Sequence, residues 1–246
     1  MRVLVTGGAK RLGAAIARGL AAAGHEVVIH YGTSRDEAEA LAVELGGTAV
    51  GGDLADTGAI PGLYARACEG GAVDGLVNSA SVFEYDAPGT IDPVLAARLH
   101  AVNCVAPAML TAALARQARE GAVVNLLDQK LANPNPDFFS YTLSKAALAE
   151  ATVLMAQAFA PRVRVNAVAP GLTLPSGDQS EAEFAGVASA NLLRRPVGAE
   201  RVAEAVVYLL GAESVTGQTL FVDAGQRFVK SDRDVMFAGR DLEGRA

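Results

Sequence analysis

Short β-branched and aliphatic runs alternate along this chain with longer stretches in which apolar positions recur every three or four residues. The first pattern marks strands buried on both faces, the second helices. "RVLVT" (2–6) predicts a strand and "RLGAAIARGLAAAG" (11–24) a helix. "EVVIHY" (26–31) and "RDEAEALAVELG" (35–46) repeat the pair, and "TAVGGD" (48–53) is followed by a helix from about Asp56 to Glu69. "VDGLVNSA" (73–80) is the fourth strand, with two helical stretches after it that split near His100. "GAVVNLL" (121–127) leads into a long helix at 140–160, and "VRVNAVAP" (163–170) is the sixth strand. Residues 171–196 carry no regular pattern and read as a substrate loop. A helix at 199–211 and a strand at 219–225 close the series. Apolar strands separated by helices predict an α/β fold: a Rossmann-type, doubly wound parallel sheet of about seven strands, with helices on both faces. No repeat, low-complexity stretch or linker divides residues 1–246, so one domain is expected. The charged tail from Arg227 (227–246) is expected either to fray or to cover a neighbour.

Composition narrows the class. Hydrophobic residues make up 51% of the 246, enough for a large core, and no apolar run approaches the length of a bilayer-spanning helix. "MRVLVTGG" enters a strand at once and leaves no room for a signal peptide. The net charge of −6 argues against a nucleic-acid partner, which requires a basic face. The expectation is a cytoplasmic α/β protein with neither membrane nor nucleic acid as partner. Cys68 and Cys104 form no CxxC pair and read as buried free thiols. His25, His30 and His100 have no ligand spacing and read as structural, so no metal is expected.

Ligands of an open parallel sheet bind beyond the carboxyl ends of its strands. After the first strand comes "TGGAKRLG" (6–13), whose glycines permit a tight turn before a helix. Lys10 and Arg11 have the wrong sign for a helix N-terminus unless they help hold an anion there. This pattern predicts a dinucleotide pyrophosphate site. The second strand end, "HYGTSR" (30–35), lacks the acid of an NAD-selective ribose site. Thr33, Ser34 and Arg35 instead suit a 2′-phosphate, which favours NADPH. Asp53-Leu54, "NSAS" (78–81), Asp128 and Pro170-Gly171 stand at the ends of the third to sixth strands and place small or polar groups on the same rim.

Tyr141 and Lys145, four apart, share a helix face. A lysine ammonium near a phenol stabilises phenolate, and the pair is expected to make a tuned acid for a group receiving a hydride. Asp128 stands thirteen residues before the tyrosine. A covered cleft would raise its pKa and Lys145 would lower it.

"TGGAKRLG", "NSAS", Asn103, "YTLSK" and "PG" together resemble the short-chain dehydrogenase/reductase family, over nearly the whole chain from Val3 to about Asp223. The resemblance implies a nicotinamide cofactor. It implies contacts to it from Gly7, Lys10, Arg11, Leu12, Tyr31, Thr33, Ser34, Arg35, Asp53, Leu54, Asn78, Ala80, Pro170 and Gly171. Tyr141 would be the proton donor, Lys145 would hold the nicotinamide ribose, and Asn103 would support a water relay to the lysine. Two positions depart from the pattern: Arg11 replaces the middle glycine, and Asp128 replaces a serine. A serine hydroxyl donates a hydrogen bond to a ketone oxygen, which an ionised carboxylate cannot do. Both departures, with "SASVF" (79–83) and "IHYGTS" (29–34), are similar to the pteridine reductases, including the bacterial dihydromonapterin reductases. That likeness implies a pterin stacked on Phe83, with Arg11, Ser81, Asp128 and Tyr141 around it, and a homotetramer whose tails reach neighbouring clefts. The subgroup usually has arginine where Thr33 stands, which passes the 2′-phosphate to Arg35. The loop after Gly171 shares little with the subgroup. Two alternatives therefore stay open at this point: a short-chain reductase of another small carbonyl or imine, and a non-enzymatic NADP(H)-binding sensor.

Overall fold

The computed structural model describes residues 1–117, 119–175 and 180–237. Seven strands form one parallel sheet: β1 (Arg2–Thr6), β2 (Glu26–Tyr31), β3 (Thr48–Gly51), β4 (Gly75–Asn78), β5 (Gly121–Leu126), β6 (Val163–Pro170) and β7 (Thr219–Val222). Their order is β3-β2-β1-β4-β5-β6-β7. The chain reverses its direction of winding between β3 and β4, and that switch opens a crevice at the carboxyl ends of β1 and β4. The pairing of Thr6 with Asn78, and of Asn78 with Asn125, brings the ends of β1, β4 and β5 level.

Alternation along each strand feeds two cores. Val3, Val5, Val27 and Ile29 face α1 (Arg11–Ala22) and a later helix at Ala199–Gly211, through Ile16, Leu20, Val206 and Leu209. Leu4, Val28 and Leu76 face the opposite layer, where Leu63 and Tyr64 of α3 (Ile60–Ala67) meet Leu110 and Leu114. Small residues let the first pair of helices approach closely: a Cβ at Gly19 would lie 3.1 Å from the Ala203 Cβ. The remaining helices are α2 (Arg35–Leu45), α4 (Pro93–His100), α5 (Ala106–Ala115), α6 (Phe139–Phe159), α7 (Glu181–Ala188) and α8 (Ala199–Gly211).

Four features differ from the sequence expectation. The break near His100 is a single wide π-turn, Ala101–Val105, inside an otherwise continuous helix. Pro93–Ala115 contains an 18-residue stretch with a mean hydropathy of 1.3, long and apolar enough by those measures to cross a bilayer, although no run had been expected to be. It packs Leu99, Ala106 and Leu110 into the interior. Residues 171–196 contain α7, a short Ala-rich helix seated through Ala188. Cys104 is buried as expected, but Cys68 is only half-buried.

The charged tail also behaves differently. Up to Phe237 it neither frays nor points away: residues 229–237 fold against this chain's own loop between β5 and α6. The rest of the tail lies outside the described residues.

Candidate active site

Beyond β1 the glycine turn is shaped by backbone geometry. Gly7 has φ +61°, and a Cβ there would lie 2.9 Å from the Ala80 Cα; one at Gly13 would lie 2.1 Å from the Gly7 carbonyl oxygen. The turn leads into α1, whose N-terminus has no side-chain cap and no acid in its first turn. Its free N–H groups and positive dipole end suit an anion. Thr6 Oγ1 accepts from the N–H groups of Ser79 and Ala80 at 3.0 and 3.1 Å, which ties the "NSAS" turn to this one. His30 is structural, as expected, and supports the turn directly. Its Nδ1 accepts from Gly7 N at 3.1 Å and its Nε2 donates to the Gly52 carbonyl at 3.0 Å. Burial keeps the ring neutral, pushing its pKa below the usual histidine value.

At the end of β2, Ser34 begins α2 without using its hydroxyl as a cap, and exposed Thr33 precedes it. Arg35 is exposed, 3.5 Å from Glu39, with its guanidinium 5.8 Å from the Tyr31 ring centroid. Lys10 pairs with Glu37 at 2.6 Å. Asp53 is exposed beside buried Leu54. This donor set, with the glycine cradle that side chains would fill, fits a dinucleotide carrying a 2′-phosphate.

A cleft of about 780 Å³ continues from this rim. It brings together Arg11 and Leu12, Ser81 and Phe83, Asp128, Tyr141 and Lys145, and Pro170 with Gly171. Asn78 and Asn103 lie beneath it. Asn78 Nδ2 donates to Asn125 Oδ1 at 2.8 Å, and Asn125 Nδ2 to Thr152 Oγ1 at 2.9 Å, a buried ladder joining β4, β5 and α6. Asn103, on the π-turn, binds both the N–H and the carbonyl of Val82 (2.8 and 2.9 Å) and donates to Ser144 Oγ at 3.0 Å. Its visible work is to fasten the Ser81–Phe83 loop to the helix that carries Tyr141. A groove of about 890 Å³ beside β7, lined by Leu192, Leu220 and Phe228 among others, is larger but lacks this proton-transfer set.

At the cleft floor the Tyr141 hydroxyl donates to Asp128 Oδ2 at 2.9 Å, while Asp128 Oδ1 accepts from Lys130 N at 2.8 Å. Lys145 Nζ donates to the Leu126 carbonyl at 2.8 Å and lies 5.8 Å from the Tyr141 ring centroid. Burial raises Asp128 above the ordinary carboxylate range, an effect stronger than the opposing pull of Lys145. Burial, then the Asp128 charge, pushes Tyr141 well above the usual phenol value. The expectation that Lys145 would favour phenolate is therefore overturned here, because the nearest charge to the phenol is negative. Tyr141 keeps its proton. Lys145 itself is lowered to about 8, chiefly by burial.

Two supports escaped the sequence reading. Asp86 accepts from Ser140 N at 2.9 Å and also from the Ser140 hydroxyl, so it caps α6 from 54 residues away. Phe138 stacks beneath the expected Phe83 with ring centroids 4.0 Å apart, and Phe83 meets Tyr141 edge-on at 4.7 Å. Phe83 remains 36% exposed and lines the cleft.

Arg11 shows why the missing glycine is tolerated. Its φ is +52°, so the backbone keeps the left-handed conformation although the side chain is an arginine. The guanidinium crosses the cleft and donates to the Pro175 carbonyl, which ties the turn to the loop after β6. Arg11→Gly and Arg11→Ala both remove that tie, but only alanine keeps the strain. The glycine variant is expected to be the more stable of the two by about 1 kcal/mol, measured by urea unfolding, and both are expected to bind the dinucleotide more weakly than wild type.

Residues 7–227 match a family model described as enoyl-(acyl carrier protein) reductase. The chain is similar to FolM alternative dihydrofolate reductase 1 from Brucella canis, solved in complex with NADP: 42% identity, TM-score 0.89, covering 95% of this chain and 96% of that one. It is 28% identical to a dihydromonapterin reductase of Enterobacter sp. (91% of this chain, 95% of the relative). It is 30% identical to pteridine reductase 1 of Leishmania tarentolae (93% and 96%). With a family model over most of its length and the tyrosine–lysine pair set at the floor of the cleft, the chain belongs to the short-chain dehydrogenase/reductase family.

Proposed function

We propose that this protein is an NADPH-dependent reductase of a C=N bond in a pterin ring. The observation that carries the reading is the Asp128 carboxylate hydrogen-bonded to Tyr141. A carboxylate in that place repels a developing ketone oxyanion, but it can hold a proton and accept hydrogen bonds from ring N–H or amino groups. Relatives named for reduction of dihydromonapterin, pteridines and dihydrofolate support the same reading.

NADPH, when bound, supplies the hydride for the ring carbon. The adjacent nitrogen needs a proton to complete C–H and N–H from C=N. Tyr141 carries that proton, and its high pKa means it releases it only to a site gaining basicity. Asp128 fixes the phenol's orientation and, with its own raised pKa, can restore the proton. Lys145 contributes positive charge at the floor. Phe83, covered on one face by Phe138, offers the cleft a flat apolar surface for a bicyclic ring.

We further infer a homotetramer. Exposed Val94, Leu143 and Leu154 mark one apolar face on α4 and α6, and Leu192, Leu220 and Phe228 mark another beside the open edge of β7. Two separate apolar faces suit dihedral symmetry, in which each would pair with its own copy. Light scattering at micromolar concentration is expected to give four times the chain mass, and a monomer would remove this inference.

The function is tested by NADPH oxidation against dihydropterins, dihydrofolate and simple ketones. Dihydropterins are expected to be reduced and ketones not. Tyr141→Phe is expected to lower turnover by about 10²–10⁴ while the NADPH dissociation constant stays nearly unchanged. Retention of more than about a tenth of the rate would remove Tyr141 from the proton-donor role.

A further inference from the structure

The C-terminal segment is fastened to the loop between β5 and α6 by two crossed ion pairs. Lys130 Nζ, on the loop, donates to Asp234 Oδ2 at 2.9 Å. Arg233 Nε, on the tail, donates to Asp137 Oδ2 at 2.7 Å, and the same oxygen accepts from Asp234 N at 2.7 Å. Exchanging the partners would set Asp234 against Asp137 and Arg233 against Lys130, both repulsive, so the pairing specifies one register. Three of the four side chains are nearly enclosed: Lys130 and Asp137 are 4% exposed and Asp234 12%, against 48% for Arg233. Buried charges persist only with complete partners. Asn135 Oδ1 supplies a further acceptor for Lys130 at 2.6 Å, and Asn133 Nδ2 donates to the Val229 carbonyl at 2.8 Å. Burial works against the Asp137 carboxylate, but Arg233 and the Asp234 N–H outweigh it and hold its pKa below the usual value.

These ties press apolar groups onto the catalytic end of the cleft. Phe237 stacks on Phe138 at 5.9 Å and meets Tyr85 edge-on at 5.4 Å. Met236 packs with Leu99, Phe138 and Tyr141. Val229, Ser231, Asp234 and Met236 line the same cleft as Phe83 and Asp128.

We propose that residues 229–237 are the outer wall of this chain's own substrate site, latched by the Lys130–Asp234 and Asp137–Arg233 pairs, and that the wall sets the largest ring substituent the site admits. The proposal rests on the pterin reading. A ring on Phe83 within reach of Tyr141 and Asp128 fills the cleft floor, and a substituent must leave past the wall or lift it. A short polyol side chain passes. A p-aminobenzoyl-glutamyl extension has to displace the segment.

The test compares kcat/KM for dihydromonapterin and dihydrofolate. Wild type is expected to favour dihydromonapterin by at least about tenfold. Asp234→Asn, and separately Arg233→Asp, are expected to shrink that ratio by about fivefold or more, and adding Asp137→Arg to Arg233→Asp to restore it. A merely structural loss would lower both rates together. An unchanged ratio in both single variants overturns the proposal. If wild type reduces neither pterin, the functional reading itself has failed, and the latch is judged separately by amide hydrogen exchange at Asp234, Met236 and Phe237. Faster exchange by about tenfold in Arg233→Asp, reversed in the double variant, supports the latch, and equal exchange overturns it.

Discussion

A carboxylate and a phenol share one hydrogen bond at the floor of the cleft, and the surrounding structure is arranged to keep them there. Asp128 stands at the end of β5 and Tyr141 in the first turn of α6, so their 2.9 Å contact depends on the angle between strand and helix. Asp86 holds the start of that helix, Asn103 and Ser144 join it to the Phe83 loop, and the Asn78–Asn125–Thr152 ladder locks strand and helix together. Each bond of this kind contributes only about 1 kcal/mol, but leaving one of these buried groups unpaired costs about 1–3. The arrangement is therefore stiff, and stiffness is what a directed proton transfer needs.

Burial decides the electrostatics. In water the phenol and carboxylate would keep their ordinary values, about 10 and about 4. Enclosed together, both are raised, and Lys145 is lowered toward about 8 by the same loss of solvent. A serine in place of Asp128 would present a neutral donor to the substrate. The carboxylate makes the cleft a place that retains protons and delivers them, which suits a nitrogen acceptor better than a ketone oxygen.

Much of the fold was legible because local and global preferences agree. β6 and α8 occupy the residues their patterns predict, since one is a short run rich in valine and alanine that ends in proline and the other an amphipathic stretch ending in glycine. The rim could be read from the small and polar residues at the carboxyl end of each strand. What escaped depends on distance along the chain. Asp86 caps a helix 54 residues on, and Arg233 and Asp234 find their partners about a hundred residues back. α7 was missed because it is short and carries almost no periodic apolar face. Arg11 could be seen to replace a glycine, but that its backbone stays left-handed is visible only in three dimensions. The sign of the shift at Tyr141 likewise needed the position of Asp128 relative to Lys145.

The proton-retaining pair is tested most directly by the pH dependence of kcat/KM for a dihydropterin in wild type and Asp128→Asn. Reduction takes up a proton, so the rate should fall as pH rises and the donor groups empty. Wild type should show one ionisation above the ordinary carboxylate range, from Asp128, and another near about 8, from Lys145. Asp128→Asn should lose at least about tenfold in kcat/KM and show only the upper ionisation. A variant that keeps the wild-type rate and both ionisations would contradict the account.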